Sequence, residues 1–309
     1  MKKWRITLML GVAIAVSMFI SACGSSGSTS GSTTGSTATT NSGGPGQFTC
    51  VSGTITASGS TALQPFVDAA AKKYQSKCSG AHITVLPGGS KKGLADAENG
   101  TSQIGDSDVP AASTQTDLVD HQVAVVIFVM IVNPDVTGVT DIKTSDILGI
   151  YTGKITNWKQ VGGPDKTITV VSRPTTSGTR ATFKKYILGG ANESPAKAQN
   201  LTVDSTGTVI QTVGQTSGSI GYVTLGGAEG AGSSVVTLKI DGQDPTPANV
   251  ATNAYKFWNV EHMYTKGAAT GLAQAFLNYM TSPDANTIAE GLKFVKISDV
   301  PQSIRDTHK

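Results

Sequence analysis

The chain alternates short apolar runs with stretches whose apolar residues recur every three or four positions, and this alternation continues through most of its 309 residues. Short runs predict strands, and the periodic stretches predict helices. Because such alternation favours parallel sheets with helices on both faces, we predict an α/β fold, in which ligands bind where strands end and helices begin. Strands are predicted over residues 50–57, 83–86, 103–107, 123–132, 168–172, 219–224, 235–240 and 255–264, and helices over 63–74, 91–99, 145–151, 179–187, 208–213, 271–280 and 283–292.

One junction of this kind lies between a predicted strand and helix and contains Arg173, Ser177, Gly178 and Thr179. The first N–H groups of a helix lack an intrahelical acceptor and lie at the positive end of its dipole. Ser177, Gly178 and Thr179 can therefore offer donors to an oxyanion, and Arg173 can add a planar charged fork. An ordinary capped turn beside a surface arginine is the alternative explanation of this stretch alone.

Three other predicted strand ends carry similar chemistry. Ser60 and Thr61 precede the first helix, Ser90 precedes the second, and Asp108 follows the third strand. Dehydrating a doubly charged anion costs on the order of tens of kcal/mol in a dry medium, while each charge-assisted hydrogen bond returns about 1.5–3 kcal/mol. Several donors are therefore needed, and we predict that these four segments converge on one anion. Each segment by itself is also compatible with ordinary helix capping.

Asp108 is unexpected in an anion site because a carboxylate repels an anion. Its presence is explained if the ligand keeps a proton that the carboxylate accepts, as phosphate does near neutral pH and sulfate does not. Pairing with Arg173 or capping of a turn is the structural alternative for Asp108, and Asp106 is predicted to be the capping or solvent-facing partner. A receptor for another oxyanion, such as sulfate or molybdate, is the less favoured ligand class.

The N-terminal segment predicts export. Basic residues precede an apolar run that is short for a membrane span, and small residues then precede Cys23, so residues 1–22 are predicted to be a lipoprotein signal peptide. Residues 20–23 resemble a lipobox, and lipid on Cys23 would attach the protein to the membrane. A plain secretory signal is the alternative. Residues 23–47 are rich in Ser, Thr and Gly and predict a flexible tether, or alternatively a glycosylated stalk.

The other two cysteines, Cys50 and Cys78, are predicted to form a disulfide in an exported protein, with two buried thiols as the alternative. The net charge is +3 and the basic residues are scattered, so no nucleic-acid partner is predicted. The four histidines lack metal-ligand spacing, and no Gly-x-Ser-x-Gly or phosphate-loop motif is present. We therefore expect no catalytic residue, metal or cofactor, and a secreted phosphatase-like hydrolase is disfavoured.

Taken together, these segments resemble the PstS-type phosphate-binding lipoproteins, the substrate-binding proteins of ABC phosphate importers. The resemblance extends from residue 52 to the C-terminus and rests on residues 59–65, 88–90, 105–110, 151–158 and 172–180. Lys91 and Lys92 depart from the family, in which small residues are common at these positions, and Arg180 has no assured family role. The resemblance implies that phosphate is bound by Ser60, Thr61, Ala62, Ser90, Asp108, Arg173, Ser177, Gly178 and Thr179.

The resemblance also implies a two-lobed periplasmic-binding-protein-like fold of type II, in which each lobe is a mainly parallel sheet flanked by helices. Two hinge crossings match residues 126–133 and 255–264. Lobe 1 is predicted to combine residues 48–127 with 260–309, and lobe 2 to span 128–259. The implied protein is a monomer, lipid-anchored outside the cytoplasm on the bacterial cell membrane, that binds inorganic phosphate with high affinity and delivers it to an ABC permease and ATPase complex.

Overall fold

A computed structural model describes residues 44–194 and 200–309. The predicted signal peptide, Cys23 and nearly all of the predicted tether lie outside the described residues. Among the residues that are described, no helix is both long enough and apolar enough to cross a membrane.

The strands are β1 (Gly53–Gly59), β2 (Ala81–Pro87), β3 (Ile104–Ser107), β4 (Leu118–Val132), β5 (Asp141–Ile142), β6 (Thr169–Ser172), β7 (Asn200–Thr202), β8 (Ser219–Thr224), β9 (Val236–Ile240) and β10 (Trp258–Lys266). The helices are α1 (Gln64–Lys77), α2 (Ser90–Glu98), α3 (Thr144–Tyr151), α4 (Gly178–Tyr186), α5 (Thr206–Gln215), α6 (Leu225–Gly230), α7 (Pro247–Ala251), α8 (Gly271–Met280), α9 (Pro283–Gly291) and α10 (Gln302–Arg305).

The strands are hydrogen-bonded in the order β2-β1-β3-β10-β4-β8-β6-β7, and β9 pairs with β4 and β5. β1 runs parallel to β2 and β3, and β6 runs parallel to β7 and β8. β4 and β10 run antiparallel to their neighbours, so each lobe has a mixed sheet whose outer part is parallel. The predicted two-lobed α/β fold is confirmed.

The two lobes share strand β4. Its residues up to Ile127 pair with β10 in the first lobe, and its residues from Phe128 pair with β8 in the second lobe. This change of partner falls inside the predicted crossing at 126–133. From Trp258 onward, β10 pairs with β3 and with the first-lobe half of β4. The chain therefore returns to the first lobe near the start of the predicted crossing at 255–264. The lobe boundaries themselves stay predictions.

In the first lobe, α1 packs its apolar face against the C-terminal helices. Phe66 and Tyr74 lie on this buried face, where Phe66 contacts Phe294 and Tyr74 contacts Phe276. Fully burying a side chain of this size contributes about 1.5–3 kcal/mol. The predicted disulfide between Cys50 and Cys78 is present and ties the segment before β1 to the end of α1.

In the second lobe, an aromatic cluster holds α4 in place. Phe183 of α4 stacks on Tyr222 of β8 with ring centroids 4.3 Å apart and meets the edge of Tyr151 at 4.6 Å. Trp158 is fully buried and donates from Nε1 to the carbonyl oxygen of Gly218 at 2.8 Å, so the segment 151–158 packs the lobe interior. The cluster therefore fixes where the N-terminus of α4 points.

Candidate oxyanion site

The turn after β1 brings Ser60 and Thr61 into the gap between the lobes. Gly59 has φ +140°, and a Cβ there would meet the carbonyl oxygen of Asp106 and lie 2.9 Å from Cα of Gly93, so only glycine fits. Ser60 Oγ accepts from the N–H groups of Ala62 and Leu63, both at 3.0 Å, and donates to Asp108 Oδ1. The Ala62 N–H, predicted to face the ligand, is therefore occupied by Ser60 in this structure.

Asp108 lies at the centre of the site and is 2% exposed. Its Oδ2 accepts from Thr179 Oγ1 of the second lobe at 2.8 Å, and its backbone N–H donates to Ser90 Oγ at 2.9 Å. Burial raises the pKa of Asp108, and the hydrogen bonds of Ser60, Thr179 and Ser90 together with the charge of Arg173 oppose that rise. The carboxylate is thus surrounded by donors from both lobes.

Arg173 is the buried cation of the site and is 1% exposed. Its Nη2 donates to Thr61 Oγ1 at 3.0 Å and to the carbonyl oxygen of Asp204 at 2.9 Å. Its Nε and Nη1 have no hydrogen-bond partner within residues 44–194 and 200–309. Burial lowers the pKa of Arg173, and the charge of Asp108 opposes this shift. Two donors of a dehydrated guanidinium are therefore directed at an acceptor that the protein itself does not supply.

The N-terminus of α4 completes the site from the second lobe. Ser177 is the N-cap residue, and its Oγ accepts from the N–H of Arg180 at 3.2 Å. A Cβ on Gly178 would lie 2.8 Å from Cβ of Ser90 and 2.9 Å from Cβ of Asp108, so the two lobes touch here. Nearby, the N–H of Lys91 in the first lobe donates to the carbonyl oxygen of Thr176 in the second at 3.1 Å.

The predicted site segments therefore converge on one gap between the lobes. Ser60, Ser90 and Asp108 approach it from the first lobe, and Arg173 and the start of α4 approach it from the second. Arg180 does not bond to Asp108. It donates to the carbonyl oxygen of Arg173 at 2.6 Å and pairs with Glu193 at 3.3 Å, so it supports the backbone of the arginine loop.

One expectation about this region is wrong. Asp106 was predicted to be capping or solvent-facing, but it is 1% exposed, and its Oδ1 has no hydrogen-bond partner in the described part of the chain. The physical reason is that β3 is paired on both sides, by β1 and β10, and all four of its residues are buried.

Sequence reasoning also missed two residues of β10. Asn259 donates from Nδ2 to the carbonyl oxygen of Asp108 at 2.7 Å, and Glu261 lies behind the site with 0% exposure. Both stand in a stretch that reads as an ordinary strand. The one available signal was that Asn259 and Glu261 alternate with the apolar Trp258 and Val260, and so stand on one face of the strand.

The fold and this interlobe site define a protein of the PBP superfamily, and the family model described as a PBP superfamily domain matches residues 26–284. The chain is 43% identical over 305 residues to the phosphate-binding protein PstS of Bacillus subtilis, which covers 97% of this chain and 96% of that protein. It therefore belongs to the PstS family. The phosphate-binding protein PstS of Borreliella burgdorferi is 26% identical over 255 residues, covering 79% of this chain and 90% of that protein.

Solved structures agree with this assignment. A "Phosphate ABC Transporter Substrate-Binding Protein with Bound Phosphate" from Clostridium perfringens is 27% identical with a TM-score of 0.72, covering 79% of this chain and 100% of that chain. An ABC-type phosphate transport receptor from Vibrio cholerae is 26% identical with a TM-score of 0.64, covering 78% of this chain and 99% of that chain.

Proposed function

We propose that this protein binds inorganic phosphate in the gap between its lobes and delivers it to an ABC permease for import. The observation that carries the proposal is the pairing of unlike groups in one dehydrated site. Arg173 presents two buried donors that have no partner in the described part of the chain, and Asp108 presents a buried acceptor. A ligand that satisfies both must accept several hydrogen bonds and donate one, as a protonated phosphate does. The similar proteins described above are named as phosphate-binding or phosphate-transport proteins, and this supports the same ligand here.

Each residue has a separate part in this proposal. Arg173 neutralises charge and donates to two ligand oxygens, and Asp108 accepts the ligand's proton. The start of α4 supplies N–H donors and the positive end of its dipole. The proposed phosphate-binding residues are Ser60, Thr61, Ala62, Ser90, Asp108, Arg173, Ser177, Gly178 and Thr179.

Because the ligand would touch both lobes, binding favours the arrangement in which they meet. The ligand is then enclosed between Asp108 and Arg173, and excluding water strengthens each of its electrostatic interactions. A sulfate ion in the same position has no proton for Asp108, so one of its oxygens faces a carboxylate without a hydrogen bond. The site therefore selects phosphate over sulfate by leaving the wrong ligand unpaired.

We further propose that the protein works outside the cytoplasm as a monomer, held to the cell membrane by lipid on Cys23. It acts with a permease and an ATPase and is not an enzyme itself. The predicted lipobox and the Ser/Thr/Gly-rich residues 23–47 support the anchor, and the PstS relatives support the transport role.

Isothermal titration calorimetry of the mature protein with phosphate, sulfate and molybdate tests the proposal. We expect tight binding of phosphate, much weaker binding of the other two anions, and loss of phosphate binding in Arg173→Ala. Arg305→Ala is the matched control, because Arg305 bonds to backbone carbonyls near the C-terminus. A phosphatase assay should show no turnover. Sulfate binding as tightly as phosphate would contradict the role given to Asp108.

A further inference from the structure

Three carboxyl groups are buried together on the first-lobe side of the site. Asp106 is 1% exposed, Asp108 is 2% exposed, and Glu261 is 0% exposed. Asp106 lies in strand β3, Asp108 directly follows this strand, and Glu261 lies on the neighbouring strand β10. The pairing of β10 with β4 shifts between Glu261 and His262, a bulge of the kind that re-aims a side chain. Three acids beside an anion site would repel the ligand if all were ionised.

The three acids differ in what surrounds them. Asp108 accepts hydrogen bonds from both lobes and faces the cation Arg173. In the described ranges, both carboxyl oxygens of Glu261 lack a hydrogen-bond partner, and so does Oδ1 of Asp106. An ionised carboxylate that is buried without donors costs several kcal/mol. Only Asp108 therefore has the surroundings of an ion.

The charged and titratable groups around the two unpartnered acids act in the same direction. Asp108 and Asp106 face Glu261, while Asp108 and Asp68 of α1 face Asp106, so the nearby carboxylates oppose further negative charge. Burial is the largest cause, and these charges add to it, so the pKa of both Asp106 and Glu261 is raised well above its usual range.

His262, the neighbour of Glu261 in β10, does not neutralise either acid. Its Nδ1 lies 2.8 Å from Oδ1 of Asp120 on β4, and its Nε2 has no hydrogen-bond partner within the described residues, so its ring bonds to neither of the two acids. Arg173 is the buried cation of the site, and its charge acts on Asp108. Within residues 44–194 and 200–309, no donor and no cation therefore compensates an ionised Glu261.

We propose that Glu261 and Asp106 are held as neutral carboxylic acids and that this neutrality sets the charge of the phosphate site, so that ionising Glu261 weakens the binding of phosphate. The affinity part of this inference rests on the proposed function. With both acids neutral, the charge of Asp108 is balanced by Arg173, and a dianion meets no net negative charge in the site. An ionised Glu261 would add one negative charge on the side of Asp108 away from Arg173. Glu261 is thus a residue that governs affinity without touching the ligand.

The first test measures neutrality directly through protein stability. Chemical denaturation of the ligand-free wild type and of Glu261→Gln is compared from about pH 4 to about pH 9. An acid whose folded pKa is raised stabilises the fold only while protonated, so wild-type stability falls relative to the variant as pH rises above about 4.3, the ordinary value for Glu. Asp106→Asn provides an independent second variant, and Glu290→Gln on the surface is the control. A difference of the opposite sign, or none, would overturn the proposal.

The second test measures affinity. Calorimetry with inorganic phosphate is carried out from about pH 6 to about pH 10, where the ratio of the wild-type Kd to the Glu261→Gln Kd should rise by about tenfold or more. Titration of phosphate itself is common to both proteins and cancels in this ratio. A constant ratio would refute the link between Glu261 and affinity. Absence of phosphate binding by the wild type would instead refute the proposed function, while the stability test would still decide whether Glu261 is neutral.

Discussion

The contact between the lobes at Gly178 leads to a prediction about closure. Gly178 is the first residue of α4 in the second lobe, and the atoms nearest to a Cβ at this position belong to Ser90 and Asp108 of the first lobe. Gly178 is not among the glycines with positive φ, so its backbone accepts alanine. Alanine also favours a helix over glycine by up to about 1 kcal/mol. Gly178→Ala should therefore leave the folding of the second lobe intact and oppose only the approach of the lobes.

The size of the effect follows from the overlap. The new methyl carbon would lie 2.8 Å from Cβ of Ser90 and 2.9 Å from Cβ of Asp108, whereas non-bonded carbon atoms are normally about 3.5–4.0 Å apart. Overpacking of this kind costs about 1–3 kcal/mol. Because the cost arises only when the lobes meet around the ligand, it corresponds to a Kd for phosphate that is weaker by about 5- to 150-fold.

Calorimetry with phosphate measures this loss, and thermal unfolding without phosphate checks that the fold is intact. Gly207→Ala is the matched control, because Gly207 lies in the first turn of α5 in the same lobe and a Cβ there has no atom within 4 Å. We expect wild-type affinity for the control and an unchanged or slightly raised melting temperature for both variants. Equal affinity of the two variants would show that the lobes do not approach this closely around the ligand.

Three further predictions follow from other parts of the structure. Replacing Cys50 and Cys78 by serine should lower the free energy of unfolding by about 3–4 kcal/mol in chemical denaturation, because the disulfide restricts the unfolded chain. Lys91→Gln with Lys184→Gln should slow phosphate association in stopped-flow experiments at low salt, because both lysines line a pocket beside Arg180. Burial lowers the pKa of His308 to about 4, so stability should fall as pH drops from about 6.5 towards that value.

Each of these predictions has a control. Reductant should reproduce the loss of the disulfide in the wild type, and unchanged stability would contradict its role. Lys239→Gln, an exposed lysine of β9, should not slow association, and an effect of the paired variant that persists at high salt would exclude steering by charge. His308→Gln should lose less stability in acid than the wild type, while a variant of the exposed His82 should not differ from it.

The long elements of the fold could be predicted because their patterns are repeated several times. In α1 the apolar residues recur about every four positions, and in β4 they form an unbroken run. α1 lies where the sequence indicates, while β4 contains the predicted residues 123–132 but begins earlier, at Leu118. β5 has two residues and β7 has three, so neither is long enough to show a period. These two strands form only because a neighbouring strand pairs with them.

The residues of the site also fall into those that the sequence could predict and those that it could not. Ser60, Arg173 and Gly178 could be recognised because strand-to-helix turns have local chemistry that is visible in the sequence. Asp106 and Glu261 could not, because their burial depends on how β3 and β10 pair, and these strands are about 150 residues apart in the chain. Glu193 was also missed, because it lies in a loop with no sequence pattern and its hydrogen bond from Ser172 forms only in the folded chain.

The sharing of β4 has a consequence for attempts to dissect the molecule. Leu118 to Ile127 belong to one sheet and Phe128 to Val132 to the other, with no break in the strand between them. A cut between these two segments would leave both fragments with an unpaired, strongly apolar strand edge that is prone to aggregation. Split reporters based on this scaffold should therefore divide the chain at a surface loop and keep β4 whole in one fragment.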